Sequence, residues 1–417
     1  MKSEEVIYRT MRWLLLLAVV LLLNACSDDP TPEGQRVKVE ALSCSTGFEE
    51  VGNSSARTTR AWNPSPYVTY DVIYGTNGMF ADQKDLVNKS IYTFFTNDEK
   101  DNQEGILYFR ETESKWYLNT EIESSGSLPY QVYGYIPKED AEGASIAPLE
   151  NSYSTGAVLT INGLSTVTPS DVCVIIGAKD GIADNNSYDE NVSYEVTGFA
   201  PGKFDVSFVG GDHATNYIFL LFDHLYSSLR FSFTVDANYN KLRTIRLRKL
   251  ELIAYADDHG GGVKAKYNAT ITLRKNESGT SPIVGSIRFT PDNSSAYVAP
   301  TKLYEGELTL TTSPSDFLGC FVPGVNTYFK LRSTYDVYDK NFTEAHPEGN
   351  LIRQGCQAEN TIDLRDKFGS YMDYDNNTGI YRTRRGYCYT YNIMVQPTYL
   401  YMLSEPDVDN PTITIGS

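Results

Sequence analysis

Histidine is scarce in this sequence, with only four among 417 residues. Histidine is the usual general acid or base and the usual partner of a catalytic nucleophile. The short motifs of serine hydrolases, zinc peptidases, phosphate-binding loops and dinucleotide-binding folds are also absent. Carboxylate pairs like those of glycosidases need not be close in sequence, but no feature of the chain points to one. We therefore expect neither enzymatic activity nor a cofactor.

Basic residues are also fewer than acidic ones. The chain has 36 Lys and Arg and 53 Asp and Glu, which gives a net charge of −17. This balance argues against nucleic acid as a partner and against an electrostatic hold on anionic lipid. No period of 20 to 50 residues recurs, which excludes a solenoid or a propeller. Long amphipathic helical patterns are almost missing after the first 25 residues.

Two loops contain residue types that bind metals, but these residues do not have the spacing of a known metal-binding motif. Asp257–Gly260 combines two aspartates and a histidine, and is more typical of a solvated hairpin tip. Asp373–Gly379 begins like a calcium loop, but Thr378 stands where the glycine of the sharp turn belongs and no acidic residue closes the loop. His224 follows an apolar run and is expected to be a packed, hydrogen-bonded residue at a strand end. We predict no metal site.

Strand-forming residues dominate what remains. Tyrosine is over-represented at 31 residues, and it favours pleated, partly buried surfaces together with Thr, Val, Ile and Phe. Short runs such as Tyr130–Ile136 and Thr244–Ala254 recur between Gly, Asn and Asp turns. The pattern predicts an all-β protein of β-sandwiches with a few short helices, one around Asn360–Phe368. We place one sandwich at 61–210 and another at 211–417, with the boundary near Gly210-Gly211.

The amino terminus is typical of a lipoprotein signal. A basic start is followed by the apolar run Trp13–Leu23, which is much shorter than the roughly twenty residues of a membrane-spanning helix. Cys26 stands where cleavage is expected, so residues 1–25 are predicted to be removed and Cys26 to be acylated. The alternative is an ordinary signal peptide with a chance cysteine.

Residues 26–60 combine a tether, a strand and a loop. Ser27–Gly34 is acidic, proline-rich and solvated in character, and resembles the surface-export signal of lipoproteins in the Bacteroidota. Val37, Val39 and Ala41 alternate with polar residues as a half-buried strand requires. Asn53–Ala61 consists mostly of small or polar residues and contains Arg57 and Arg60. A loop of this composition is a suitable substrate for an arginine-specific protease. Ordinary loop charge is the other interpretation of these arginines.

The six cysteines do not specify a pairing. If Cys26 is lipidated and the chain is cut after Arg60, four remain, namely Cys173, Cys320, Cys356 and Cys388. A disulfide from Cys320 to Cys356 or Cys388 suits an oxidising compartment. Buried free thiols in strands are an equal alternative, as in the run around Cys173.

The chain resembles the fimbrillins, the type V pilus subunits of the Bacteroidota. The resemblance rests on the lipoprotein leader, the strand behind it, the arginine loop and four internal stretches: Leu128–Pro137, Ser170–Val174, Phe222–Phe231 and Arg385–Ile393. It covers most of the chain, although each motif is loose. It implies two tandem transthyretin-like antiparallel β-sandwich domains at the cell surface, in a fimbrium with a structural or adhesive role.

The resemblance also implies assembly by donor-strand exchange. The strand containing Val37, Val39 and Ala41 would leave after cleavage at Arg60, or at Arg57 as second choice. The vacated groove would then accept an extended strand from the next subunit. The donor would be Gln396–Ser417, through the side chains of Tyr399, Tyr401, Leu403, Ile413 and Ile415; a plain edge strand is the alternative for this segment.

The partners implied are other pilin subunits, an arginine-specific protease and the outer membrane, through the lipid anchor before cleavage. A host or bacterial surface receptor is a further partner that the sequence does not name. Stalk, tip and anchor positions remain open. A second hypothesis is a surface glycan-binding lipoprotein that uses Trp62, Trp116 and exposed tyrosines as stacking platforms.

Overall fold

The computed structural model describes residues 36–37, 39–45, 49–51, 88–96, 102–110, 115–123, 130–180, 202–204, 216–257, 259–274, 286–324, 326–340, 350–400 and 405–415. Within these ranges the first thirteen strands are β1 (Arg36–Val37), β2 (Val39–Ser45), β3 (Glu49–Val51), β4 (Ser90–Thr96), β5 (Gln103–Arg110), β6 (Lys115–Leu118), β7 (Ile122–Glu123), β8 (Tyr130–Ile136), β9 (Gly143–Leu149), β10 (Ser152–Ser165), β11 (Val167–Thr168), β12 (Cys173–Asp180) and β13 (Gly202–Phe204).

The remaining strands are β14 (Asn216–His224), β15 (Ser227–Val235), β16 (Arg243–Tyr255), β17 (Lys266–Arg274), β18 (Ser286–Pro291), β19 (Thr301–Leu310), β20 (Ser315–Phe321), β21 (Tyr328–Asp339), β22 (Leu351–Asp363), β23 (Asp373–Asp375), β24 (Ile380–Arg382), β25 (Tyr387–Leu400) and β26 (Glu405–Ile415). One α-helix, α1 (Leu364–Phe368), and three 3-10 turns (Lys138–Asp140, Tyr239–Lys241 and Gly369–Tyr371) complete the described elements. The protein is all-β, as predicted.

The first sheet closes on itself. Its strands pair in the order β12-β13-β8-β4-β5-β6-β2-β14, and β14 pairs back with β12. Every residue of β4 and of β8 is buried, because both faces of these strands are covered. Ile91 and Phe95 fill the interior of the ring, while Tyr92 and Phe94 pack outward against a second sheet. This explains why both segments carry large apolar residues on both faces rather than on one face only.

The second sheet covers the outside of the ring. It has the order β18-β17-β10-β9 and contributes Leu159, Ile161 and Ile271 to the core that it shares with Tyr92 and Phe94. Two covered layers around one apolar core are the layer architecture of a sandwich.

The third and fourth sheets form the other sandwich. The third has the order β11-β20-β15-β25-β26, with β3 also paired to β25, and the fourth has the order β19-β16-β21-β22. Alternate residues of β15, among them Phe231 and Phe233, face Leu247, Leu331 and other apolar residues of the fourth sheet in one buried cluster. The period-two burial along most of β21 matches the alternation expected of facing sheets.

The predicted helix around Asn360–Phe368 is present but shorter. The Asp363 carboxylate accepts a hydrogen bond from the backbone N–H of Arg365 at 3.0 Å and so caps the first turn of α1. Leu364 and Phe368 lie four residues apart on one face and are buried. Asn360–Asp363 belong to β22 instead, where they pair with β21. In the described part of the chain, no helix is both long enough and apolar enough to cross a membrane.

Strand pairs join residues on the two sides of the domain boundary expected near residue 210. β14 begins at Asn216 and closes the first sheet, and β17 pairs with β10 along eight register positions from Gly156 to Ser165. The chain passes from the first sheet to the third at the turn between His224 and Ser227. A glycine-rich turn marks where a strand ends, but it carries no information on which sheet the next strand joins. Most pairs are antiparallel, and β2–β14, β3–β25, β12–β13 and β15–β25 are parallel.

Candidate functional site

The N-terminal strand β2 is inserted into the first sheet. It runs parallel to β14 along seven positions, from Val39 opposite Asn216 to Ser45 opposite Phe222. On its other edge Glu40 and Ala41 pair with Tyr117 and Trp116 of β6 in the antiparallel sense. The predicted strand at 37–42 therefore closes the ring between two neighbours, and Val37 continues in β1, opposite Ile122.

The two neighbours of β2 carry fully buried side chains. Trp116 of β6 and Leu220 and Phe222 of β14 have no exposed surface, and all three belong to the core inside the ring. Phe109 packs on Trp116 with ring centroids 5.1 Å apart. Removal of β2 would leave unpaired backbone groups on β6 and β14 at the rim of this core. Unpaired buried backbone groups and an open strand edge are both unfavourable.

A second contact of the N-terminal segment lies on β25. β3 pairs with the first residues of β25, from Glu49 opposite Tyr387 to Val51 opposite Tyr389. β26 pairs with residues 393–400 of the same strand, while β15 pairs with residues 388–395. Because a strand has two edges and β15 occupies one of them, β3 and β26 lie one after the other along the remaining edge. Val51 is buried in the core between the third and fourth sheets.

The expected donor segment is folded onto its own sheet. Gln396–Leu400 end β25 and 405–415 form β26, with a register shift between Pro397 and Thr398. Ile413 is 3% exposed and belongs to the core. Its carbonyl oxygen accepts a hydrogen bond of 2.7 Å from Nδ2 of Asn360 in β22. In this chain the segment is thus an edge strand of the second sandwich, which was the alternative interpretation.

Several predicted site residues lie outside the described residues. These are Cys26, Arg57, Arg60, Tyr401 and Leu403, so that lipidation, the cleavage position and part of the donor segment stay predictions. For the others, the structure describes the backbone pairing of Val37, Val39, Ala41, Tyr399 and Ile415, and the burial of Ile413.

The glycan-stacking role expected of Trp116 is wrong, because this side chain is fully buried inside the ring. Trp62 lies outside the described residues.

A cleft of about 600 Å³ lies where β18 approaches the segment before β25. Its lining residues include Tyr267, Arg288, Arg382, Arg384 and Tyr387. Arg384 is engaged by Asp373 at 2.6 Å. The cleft is thus lined by guanidinium and tyrosine groups and also by the Asp373 carboxylate.

The turn from the first to the third sheet contains a buried polar cluster that sequence spacing did not predict. Asp171, Cys173 and His224 are fully buried, and their side-chain N, O and S atoms lie within 4.8 Å of one another. Cys173 and His224 stand directly opposite each other in the β12–β14 pair. His224 is the packed, hydrogen-bonded strand-end residue expected, but its partners come from a segment about 50 residues earlier.

Cys173, Cys320, Cys356 and Cys388 are free thiols. Burial raises the pKa of the Cys173 and Cys320 thiols well above the usual value, and the charge of Asp171 adds to this effect at both. Cys320 and Cys388 lie opposite the same residue, Ser228, on the two strands that flank β15. They are therefore not on adjacent strands, which accounts for the absence of a bond between them. The free-thiol alternative is thus the one observed.

Comparisons with known proteins show similarity to solved structures only. No protein-family model matches the sequence, and neither does any curated protein. A candidate cell adhesion protein from Bacteroides fragilis is 10% identical, with a TM-score of 0.39 over 91% of this chain and 97% of that chain. A fimbrial protein from Bacteroides vulgatus is 9% identical, with a TM-score of 0.30 over 79% and 92%. The tip fimbrial protein Mfa3 from Porphyromonas gingivalis, with a C-terminal truncation, is 12% identical, with a TM-score of 0.28 over 91% and 99%. These similar structures are thus fimbrial and cell adhesion proteins, at TM-scores below 0.5.

Proposed function

We propose that this chain is a fimbrial subunit, exported as an outer-membrane surface lipoprotein on Cys26 and assembled by protease-triggered strand exchange. The observation that carries the proposal is the insertion of β2, from the extreme N-terminal part of the described chain, between β6 and β14. The subunit serves a structural or adhesive role and has other copies or related subunits as partners.

Cleavage after Arg60, or after Arg57, is the trigger. Both bonds follow β3 and precede β4 in sequence, so a cut at either one separates β1, β2 and β3 from the rest of the chain. These strands are then held only by their pairing with β7, β6, β14 and β25. Their exchange for another strand no longer requires the covalent chain to rearrange.

The empty groove is the driving force for assembly. Seven residues of β14 lose their partner when β2 leaves, beside the fully buried Trp116 and Phe222. A buried backbone group without a hydrogen bond costs about 1 to 3 kcal/mol, so the vacant ring is strongly unfavourable. An incoming extended strand restores the pairing by β-augmentation.

The incoming strand is Gln396–Ser417 of the next subunit. In the isolated chain part of this segment is paired to β25 as β26, and Ile413 is buried. Donation therefore needs β26 to leave its own sheet, which makes its detachment a second step alongside cleavage.

The direct experiment treats the purified chain with an arginine-specific protease. We expect an N-terminal peptide ending at Arg57 or Arg60 by mass spectrometry, followed by a ladder of polymers in non-reducing, unboiled electrophoresis. The double variant Arg57→Lys/Arg60→Lys keeps both positive charges but is not a substrate, so it should stay monomeric. Cleaved chains that remain monomeric and are retarded in a polysaccharide gel would instead support the glycan-binding hypothesis.

Trp116 provides an internal reporter for departure of β2. In a variant with Trp13 and Trp62 replaced by Phe, fluorescence comes from Trp116 alone. Cleavage should leave its emission unchanged while β2 remains, and loss of β2 should shift the emission to longer wavelength as water reaches the ring. Refilling of the groove by a donor strand should reverse the shift. Polymers that form without any such change would contradict exchange at β2.

A further inference from the structure

The buried cluster of Asp171, Cys173 and His224 holds three different metal-ligand types at one point. Sγ of Cys173 lies 3.0 Å from Oδ2 of Asp171 and 3.5 Å from Nδ1 of His224, and that nitrogen also contacts Oδ2 of Asp171. All three side chains therefore aim their donor atoms at one another. Three aligned donor atoms with no exposed surface are the arrangement expected around a small cation.

Two buried carboxylates, Asp171 and Asp223, lie in this region. Asp223, beside His224, is compensated by Arg385 at 2.5 Å. Among the described residues, the one basic side chain in ion-pair range of Asp171 is that of His224 itself. An isolated buried carboxylate is costly unless a cation pairs with it. A divalent ion bound by a carboxylate, a thiolate and a neutral imidazole would make the whole cluster electrically neutral.

The separation of the sulfur and nitrogen atoms suits zinc. Bonds of about 2.3 Å to sulfur and about 2.0 Å to nitrogen, set at the tetrahedral angle, place these two atoms roughly 3.5 Å apart. That is the separation of Cys173 Sγ and His224 Nδ1. The Asp171 carboxylate would have to withdraw by about an ångström to reach a zinc–oxygen bond. Its other oxygen, Oδ1, already accepts a hydrogen bond of 2.8 Å from the backbone N–H of Val172, which orients it.

We infer that Asp171, Cys173 and His224 supply three ligands of a zinc site that ties the start of β12 to the end of β14. A borderline-soft set of one thiolate, one imidazole and one carboxylate favours zinc over calcium or magnesium, which prefer oxygen ligands alone. The site lies at the turn where the chain passes from the first sheet to the third. Zinc there would stabilise the β12–β14 pair, which remains in the ring when β2 leaves.

Zinc content and thermal unfolding test this inference on the full chain. Protein expressed with added zinc and then gel-filtered should hold about one zinc ion per chain by inductively coupled plasma mass spectrometry. Cys173→Ala and His224→Gln should each lower the retained zinc at least about tenfold. Cys356→Ser is the matched control, because Cys356 lies in β22 of the fourth sheet and is partly exposed; it should retain the full zinc content.

Metal binding by the wild-type protein is a second measurement, which tests the inference even if a variant does not fold. Cobalt added to metal-depleted wild-type protein should produce a thiolate-to-cobalt absorption band, and zinc should raise the unfolding temperature. Folded wild-type protein that holds no zinc, gives no cobalt band and unfolds at the same temperature with or without zinc would overturn the inference. The three residues would then form only a hydrogen-bonded cluster. The test is independent of the fimbrial proposal, because zinc binding needs neither cleavage nor assembly.

Discussion

Arg385 donates a hydrogen bond from Nη1 to Oδ2 of Asp223 at 2.5 Å. Both side chains are almost completely buried. The same nitrogen donates to the backbone carbonyl of His224 at 3.1 Å. Arg385 comes just before β25 and Asp223 lies near the end of β14. A single buried ion pair thus joins the closed first sheet to the third sheet at the point where the chain crosses between them.

Breaking this pair should be strongly destabilising. Arg385→Met leaves the buried Asp223 carboxylate without this cation, and we expect a loss of about 3 to 5 kcal/mol in the free energy of unfolding, measured by urea denaturation. The neighbouring Arg384→Met is the control, because the Arg384–Asp373 pair is largely exposed and should contribute less than about 1 kcal/mol. The double variant Arg385→Met/Asp223→Leu should recover part of the loss. Equal effects of the two single variants would show that burial of the Asp223 pair is unimportant.

The hydrogen bond from Asn360 to the Ile413 carbonyl should slow detachment of β26. Asn360→Ala removes it, at a cost of about 1 kcal/mol to the docked state, and should speed polymerisation after protease cleavage several-fold. Asn392→Ala is the matched control, because Asn392 is an exposed residue of β25. Polymerisation rates can be followed by light scattering. If both variants polymerise at the wild-type rate, release of β26 does not limit assembly.

Tyr389 should make the protein sensitive to alkaline pH. Burial raises the pKa of this phenol from 10.0 to about 12, so the unfolded chain releases the proton at lower pH than the folded chain does. The stabilisation is fully present below pH 10 and is lost as the pH rises towards 12.

Tyr389→Phe removes both the titration and the hydrogen bond of 3.2 Å that the hydroxyl oxygen accepts from the backbone N–H of Arg384. The variant should be less stable than the wild type at pH 8, and this deficit should shrink or reverse at pH 11. Urea midpoints at the two pH values measure the change. A deficit that does not vary with pH would show that Tyr389 does not titrate on unfolding.

The cysteines should differ sharply in reactivity. Cys173, Cys320 and Cys388 are fully buried, and Cys356 is partly exposed. Because the reactive form is an accessible thiolate, brief treatment of native protein with iodoacetamide should label Cys356 ahead of the other three by at least about tenfold. Peptide mapping by mass spectrometry measures the labelling, and prior unfolding in urea should equalise it. Early labelling of Cys173 would contradict its burial.

Strands with buried apolar faces could be predicted from sequence, and the polar edge strand β22 could not. Tyr130–Ile136 is predicted and observed with the same limits, because both faces of β8 are covered and the run is mostly apolar. β22 was missed: it is an edge strand of the fourth sheet whose residues are mostly exposed. The hydrogen bonds that make it a strand come from β21, and its own side chains carry little signal of that pairing.

The sequence by itself determined the all-β class and the alternating strand at 37–42, because each of these depends on residues close together in the chain. Only the tertiary structure decided that β2 fills the gap between β6 and β14, and that β3 and β26 share one edge of β25. It alone brought Asp171 and Cys173 to His224. The physical reason is that strand partners are chosen by register and by burial against distant segments, and neither is encoded in the spacing of any one segment.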